Sequence, residues 1–451
     1  MPSPLVDRAA IPAQHVGPRK VDWIVMAVLA VVGTISCLVR VPLAHHDIVW
    51  AEDANIFLFE NLNMGPLATL FHGYAGYQHL VPRLGSAFVI GVSDLADYAV
   101  VTFWSCAVLT GIIGAMVYWL SRDVLGWIPA RVAAAMITFL LPLATQEVIG
   151  NWADIHTYFM WLTPWLYFYR PRSWRSGAGW AFVAFLAIMT EVQAVLFLAL
   201  IPFFLRRKDK YSRPILGAFV LGAAWQFATV LTVPRDSSAA WLGIPSLLQG
   251  WLINVPMPML VADPMKVRGV LQSTGFLVPV LVTIVFVVAF ACAMIWGSGR
   301  QRFLAVTFVL ASGAIYAAGA TVDGSWWFRY AESDANPWER IINVRYGVAA
   351  GMMLAGVVPI AAAALIARRF RRRWAQVLGA SAAWAGMVGM LAVFAIASTQ
   401  AISTRSWVSG QWSPAVHEAV ERCGDLDAES IIDLPVAPER TVPLSCEQIL
   451  R

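Results

Sequence analysis

Apolar runs of about 20 residues recur along this chain, separated by short polar connections. The first, from Trp23 to Ala44, is interrupted only by Thr34, Ser36 and Arg40. It matches the length that a membrane-spanning helix needs. It also exceeds a signal-peptide core and carries no clear small-x-small cleavage site, so it reads as an uncleaved first span. The pattern predicts spans near 23–44, 99–120, 131–149, 156–169, 177–190, 192–205, 214–233, 276–297, 303–322, 347–367 and 374–397. Residues 45–98 hold two shorter apolar stretches, around 54–71 and 80–92, which read as helices lying in the membrane interface.

The stretch GAGWAFVAFLAIMTEVQAVLFLALIPFFL, 177–205, is too long for one ordinary span. A single helix of these 29 residues would reach about 43 Å, against a hydrocarbon core of about 30 Å. Arg170, Arg172 and Arg175 precede it, and Arg206, Arg207, Lys208 and Lys210 follow it. Both ends therefore favour the cytoplasm, and the stretch reads as a hairpin of two short segments with Glu191 near its apex. That gives about eleven spans, with the amino terminus cytoplasmic and the carboxyl terminus extracytoplasmic. On this topology 20 of the 32 Lys and Arg are cytoplasmic, RRFRRR at 368–373 among them, but only four of the 27 acids.

Composition agrees. The chain is 59% hydrophobic and only 13% charged, against roughly 25% charged in an average soluble domain. Its 21 Trp suit wide interfacial belts. A net charge of +5 could suit nucleic acid, but the cations come as short clusters between apolar runs, which is the pattern of membrane topology. The expected fold class is all-α: a polytopic membrane domain over 1–397 and a short extracytoplasmic tail over 398–451. Cys37, Cys106 and Cys292 lie singly within spans as packing residues. Cys423 and Cys446 lie in the outer tail, where oxidation is allowed, and a disulfide between them is favoured over two free thiols.

No Gly-x-Gly-x-x-Gly or Walker sequence occurs, and no cytoplasmic loop is long enough to form a nucleotide-binding domain. Nor is there a His-Glu-x-x-His or Cys-x-x-Cys spacing for a dedicated zinc site. Asp425-Leu426-Asp427, beside Gly424, reads as a polar turn. The strongest chemical candidate is the pair Glu52-Asp53 in HHDIVWAEDANIFLFE, 45–60. A carboxylate against apolar, interfacial surface is partly desolvated, which raises its pKa and strengthens it as a general base. The same pair suits the positive end of a helix starting near Asn55, and the two readings are compatible.

Further along the loop, HGYAGYQHLVPRLG (72–85) offers Tyr74, Tyr77, His79 and Arg83, with Pro82 in the first turn of a helix. Ring faces, hydroxyls and cations suit a sugar and a phosphate; interfacial anchoring is the alternative. In TQEVIGNWADIH, residues Glu147, Asn151 and Asp154 would share one face if a helix ran on past Gly150, with His156 close behind. Glu191, at membrane depth, costs at least about 2.5 kcal/mol there and so requires a polar cavity or a partner. The Trp-rich segment 323–347 carries Arg340 and ends in Arg345-Tyr346 at the mouth of a span. An arginine there can grip a phosphate with its planar fork or anchor the span to headgroups.

An acid pair just past span one, a long outer loop with two interfacial helices, and short hairpin spans ending in a basic cluster together resemble the GT-C superfamily of integral-membrane glycosyltransferases. In that superfamily the first-loop motif is two acids, adjacent or separated by one, and Glu52-Asp53 matches the adjacent form. Arg345-Tyr346 opening a late span is similar too. The tail VAPERTVPLSCEQIL resembles tails of high-GC bacterial members, which implies a bacterial plasma membrane.

The resemblance implies an inverting transferase that takes a monosaccharide from a polyprenyl-phosphate donor and delivers it to an extracytoplasmic glycan or glycolipid. Asp53, the later acid, is favoured as the base, with Glu52 orienting. Arg345, Arg83, His79 and Arg340 would hold the donor phosphate. Tyr74, Tyr77, Glu147, Asn151, Asp154, His156 and Tyr346 would contact substrate. No cofactor is implied, a divalent cation at Glu52 and Asp53 being the one candidate, and the partners are the lipid-linked donor, the acceptor and membrane lipids, not nucleic acid. The chain departs from the pattern in lacking a large soluble outer domain. Two rival readings stay open: a lipid-linked-sugar flippase or transporter, and an outer-face acyl- or phosphotransferase using His45 or His46.

Overall fold

The computed structural model describes residues 20–145, 147–206, 209–235, 240–332, 345–400, 405 and 410–451. Among these residues, eight helices are long and apolar enough to cross a membrane, beginning with Lys20–Arg40. A ninth candidate is a broken pair, Ile244–Leu260 and Pro264–Thr274, bent by 113°. The predicted spans 156–169 and 177–190 fold as helices of 13 and 17 residues, His156–Phe168 and Trp174–Thr190. Residues 192–205 form a 3-10 helix, Val192–Leu200, followed by a short α-helix, Ile201–Leu205. These three pieces fall below ordinary spanning length, so a count of about eleven requires short spans.

The chain does double back at Glu191. A Cβ added at Gly177 would lie 2.3 Å from the Tyr211 carbonyl oxygen, and Gln226 Nε2 donates to the Ile188 carbonyl at 2.7 Å. The helices Trp174–Thr190 and Arg213–Thr232 therefore run side by side in the same direction, and 191–205 returns the chain between them.

Small residues set the closest crossing. A Cβ at Gly111, in the helix Tyr98–Leu120, would sit 2.3 Å from the Ala30 carbonyl of the first helix. Only glycine lets these backbones touch, the usual device where lipid offers no hydrophobic drive between helices. The helix Tyr346–Ala367 is almost wholly buried, and its neighbours pack around it.

Polar residues in the spans are tied at both ends. Arg40 donates to the carbonyls of Phe139 and, at 2.7 Å, Leu141, which satisfies the carboxyl end of the helix Ile128–Leu140. At the opposite end Arg131 meets Asp22 at 3.0 Å, Arg172 meets Asp123 at 3.4 Å, and Arg300 donates to the Asp123 carbonyl at 3.0 Å. The helix ends assigned to the cytoplasm by charge thus gather at one end of the bundle.

Two expectations are corrected. The span set at 131–149 stops at Thr145: its α-helix ends at Leu140, because Leu141 precedes Pro142, a 3-10 turn Pro142–Thr145 follows, and the chain then turns through Gly150, whose φ is +81°. The fold is also not purely helical. Residues 410–451 make a small α/β unit: a helix Trp412–Cys423, strands β1 (Ile431–Val436) and β2 (Arg440–Ser445) paired antiparallel, and a short helix Cys446–Ile449.

A disulfide joins Cys423 to Cys446, with Cα atoms 5.3 Å apart. It closes a loop with a sequence separation of 23, for which chain entropy predicts a contribution of about 3 kcal/mol. Cys423→Ser should therefore make 410–451 the first segment cut in limited proteolysis, while the helical core stays protected. Equal protection of that segment in both proteins would contradict this.

The unit docks on the first loop. The Ala437 N–H donates to the Val49 carbonyl at 2.9 Å, beside a parallel bridge to Trp50, and the Trp412 N–H donates to the Asp47 carbonyl at 2.8 Å. Trp412 Nε1 donates to the Leu95 carbonyl at 2.7 Å, and Gln448 reaches Asn63 at 3.0 Å.

Candidate active site

The first loop is built to present Glu52. After the first helix the chain makes a 3-10 turn, Leu43–His45, is pinned at 47–50 by the carboxyl-terminal unit, and enters helix at Ala51. Consecutive residues on a helix point about 100° apart, so the acid pair diverges. Glu52 lines a cavity of about 1070 Å³, and its Oε2 is buried with no hydrogen-bond partner. Asp53, fully buried, faces away from the cavity: its carboxylate accepts the backbone N–H of Trp152 at 3.0 Å and of Ala153 at 2.8 Å. A π-helical turn, Asp53–Leu58, follows directly. The acid favoured from sequence is thus the anchor of the loop, and its neighbour is the one exposed to a ligand.

Burial pushes the Asp53 carboxyl up to about 8, with smaller upward contributions from Glu52 and Asp154; the two backbone donors oppose this. The folded pKa lies above the unfolded value of 3.8. Stability from this group is therefore complete below about pH 4, falls as pH rises, and is lost once pH passes about 8. The slope in that window should be up to ~1.4 kcal/mol per pH unit. Between pH 5.5 and 8, thermal stability should fall more steeply in the wild type than in Asp53→Asn; parallel slopes would refute the assignment.

Arg345, at the start of the helix Tyr346–Ala367, lines the same cavity as Glu52. One guanidinium nitrogen donates to Glu147 Oε1 at 2.6 Å and the other lies 3.4 Å from the Tyr346 hydroxyl. That hydroxyl donates to Asp323 at 2.5 Å. The fork is thus held from two sides while its side chain remains one-third exposed toward the cavity. Arg235 lines the same cavity from just beyond the helix Arg213–Thr232.

Tyr74 and Tyr77 line the cavity from either side of a two-residue turn. Their backbones bond reciprocally at 3.0 and 3.1 Å, and Ala75 and Gly76 take positive φ of 50° and 85°. The Tyr77 ring packs 3.9 Å from His79. Burial, with the neighbouring charges of His156, Arg83 and Arg235, holds the His79 imidazole well below its ordinary pKa, so it meets a ligand as a neutral hydrogen-bonding group.

Asp154 and His156 also reach the cavity. Asn151 does not: it is buried and bonds the Glu147 carbonyl at 2.7 Å and Asp154 at 3.0 Å. Arg83 is likewise absent from the wall, being buried against Glu60 at 2.7 Å and over the Phe57 ring. Arg340 lies outside the described residues. His46 is buried on Phe103 with Nε2 at 3.0 Å from the Val41 carbonyl, and neither it nor His45 lines the cavity.

Glu191, singled out as the intramembrane acid that required a polar setting, has one: it lines the cavity 3.6 Å from His156. Arg235, Gln193, Asp323 and Trp327 were not foreseen. Arg235 had a legible signal, since it is the first cation past a span, just as Arg345 is the last before one.

Among the described residues, no group of three or more His, Cys, Asp or Glu side chains is arranged to hold a metal ion. Because Glu52 and Asp53 diverge, a cation considered for that pair would meet only the Glu52 oxygens. No family model matches this sequence, and no curated protein matches it.

Proposed function

We propose that the chain is a GT-C-type glycosyltransferase of the bacterial plasma membrane. It moves a monosaccharide from a polyprenyl-phosphate donor to an extracytoplasmic glycan or glycolipid, with inversion. The observation that carries this reading is the single cavity uniting an unpartnered carboxylate, Glu52, with two arginines, Arg345 and Arg235, beside apolar wall from the spans. A base, a cradle for one phosphate and a wall fit for a lipid tail are the three parts that such a transfer requires. The topology that accompanies the reading has the amino terminus cytoplasmic, the tail outside and about eleven spans, three of them short.

In the reaction, an acceptor hydroxyl oxygen attacks the anomeric carbon of the donor sugar. The bond from that carbon to the phosphate oxygen breaks, and its electron pair leaves with polyprenyl phosphate. The hydroxyl proton passes to Glu52, which replaces Asp53 as the base because its carboxylate faces the ligand space. Arg345 and Arg235 stabilise the charge that grows on the leaving phosphate, where preorganised donors act most strongly. Glu147 and Tyr346 hold the Arg345 fork in place.

The test is purified protein in lipid nanodiscs, supplied with cell-envelope glycans and glycolipids as acceptors, a panel of polyprenyl-phosphate monosaccharides, and nucleotide sugars. Release of polyprenyl phosphate from the lipid-linked donors alone is the expected result. Transfer from a nucleotide sugar without lipid would overturn it. Movement of the intact lipid across a vesicle bilayer, with no bond broken, would instead mark a transporter.

A further inference from the structure

One polar part of the cavity is not used by the chemistry above. Glu191 sits where the helix Trp174–Thr190 breaks, and its side chain accepts the Gln193 N–H at 2.7 Å, so one oxygen is committed to the fold. The other, Oε2, lies 3.6 Å from His156 Nδ1, beyond hydrogen-bond range. His156 Nδ1 and Gln193 Oε1 are both buried without a hydrogen-bond partner, and all three residues line the cavity. Around them the wall is apolar, with Met160, Ile315 and Ala349. Buried polar atoms without partners are costly, so a site that keeps several is prepared for a ligand that completes them.

The chemistry of these atoms selects the ligand. Glu191 Oε2 and Gln193 Oε1 only accept, whereas His156 can donate or accept. A phosphate oxygen also only accepts, so it would be repelled by Glu191 and would leave Gln193 Oε1 without a partner. A sugar hydroxyl both donates and accepts. One hydroxyl can give its proton to Glu191 Oε2 and receive a bond from His156, and a neighbouring hydroxyl can donate to Gln193.

We propose that His156, Glu191 and Gln193 form a subsite for adjacent hydroxyl groups of the donor's sugar, in the same cavity as the phosphate-binding arginines. The proposal rests on the transferase reading and adds to it the residues that distinguish one sugar from another. It assigns Glu191 a binding role and leaves the base and the leaving-group contacts unchanged.

The experiment compares binding of bare polyprenyl phosphate with binding of polyprenyl-phosphate glucose, galactose, mannose and arabinose, using the full chain in nanodiscs. The wild type should bind at least one glycosylated lipid about tenfold or more tightly than the bare lipid. Glu191→Gln keeps the oxygen that caps Gln193 while removing the charge, and Gln193→Leu removes the second acceptor. Each should erase that advantage by about tenfold, with bare-lipid binding within about twofold of wild type. Equal weakening of bare and glycosylated lipids, or an intact preference in both variants, would overturn the subsite while leaving the transferase reading standing. A wild type that binds neither kind of lipid would overturn the transferase reading, and the subsite with it.

Discussion

Glu52→Gln should lower turnover by about two to four orders of magnitude, the usual contribution of a positioned general base, while donor binding and melting temperature stay near wild type. In barrier terms that is ~3–5 kcal/mol. Glutamine keeps the volume and one oxygen of Glu52 but cannot take the acceptor's proton. The second acid supplies the contrast. Asp53→Asn replaces one carboxylate oxygen with an NH2 that faces a backbone N–H, because Trp152 and Ala153 donate to both oxygens. It should therefore cost about 1–2 kcal/mol of stability near pH 4, a cost that shrinks as pH rises because asparagine does not ionise, and it leaves the proton acceptor Glu52 in place. Should Glu52→Gln retain activity within about threefold, and Asp53→Asn lose it at unchanged stability, the base would be Asp53 after all.

Arg345→Ala carries the second large expected effect, a fall of at least 100-fold in turnover of a polyprenyl-phosphate donor. Charge-assisted bonds to a phosphate are worth ~1.5–3 kcal/mol each, and they strengthen as the leaving group gains charge. Removing the guanidinium also strands Glu147, which is buried and bonded to it at 2.6 Å. The variant should consequently lose about 2 kcal/mol of stability. Pairing it with Glu147→Gln separates the two effects. The double variant should recover the melting temperature of the wild type and none of the turnover. Recovery of turnover would show that Arg345 serves only to neutralise Glu147. Arg451→Ala, at an exposed position far along the tail, should change nothing.

What was legible in the sequence follows from what hydropathy and charge record. Spans appear because their apolar length is nearly uninterrupted, and the return at Glu191 could be read from cations on both flanks. The span 131–149 runs four residues past the observed Thr145 because hydropathy registers neither the break at Pro142 nor the turn at Gly150. The first-loop acid pair stood out from its position, but which acid faces the ligand depends on helical phase, and a π-helical turn alters that phase locally.

The cations were harder. Arg83 is near the pair in sequence and is taken by Glu60, whereas Arg235 is distant in sequence and close in space. The folded tail was illegible for a similar reason. Its buried face, Trp412 included, is matched to residues 47–50 and Leu95, hundreds of positions earlier.

That match has a consequence for how the protein is made. Asn63 meets Gln448, a partner 385 residues downstream. At a synthesis rate of about 5–20 residues per second, roughly 20–80 s pass between the two leaving the ribosome. Through that interval the segment that carries Glu52 lacks the contacts of the carboxyl-terminal unit, although no residue of that unit lines the cavity. Contacts of such high sequence separation form late. The docking of 410–451 on the first loop is therefore among the last contacts of the fold to form.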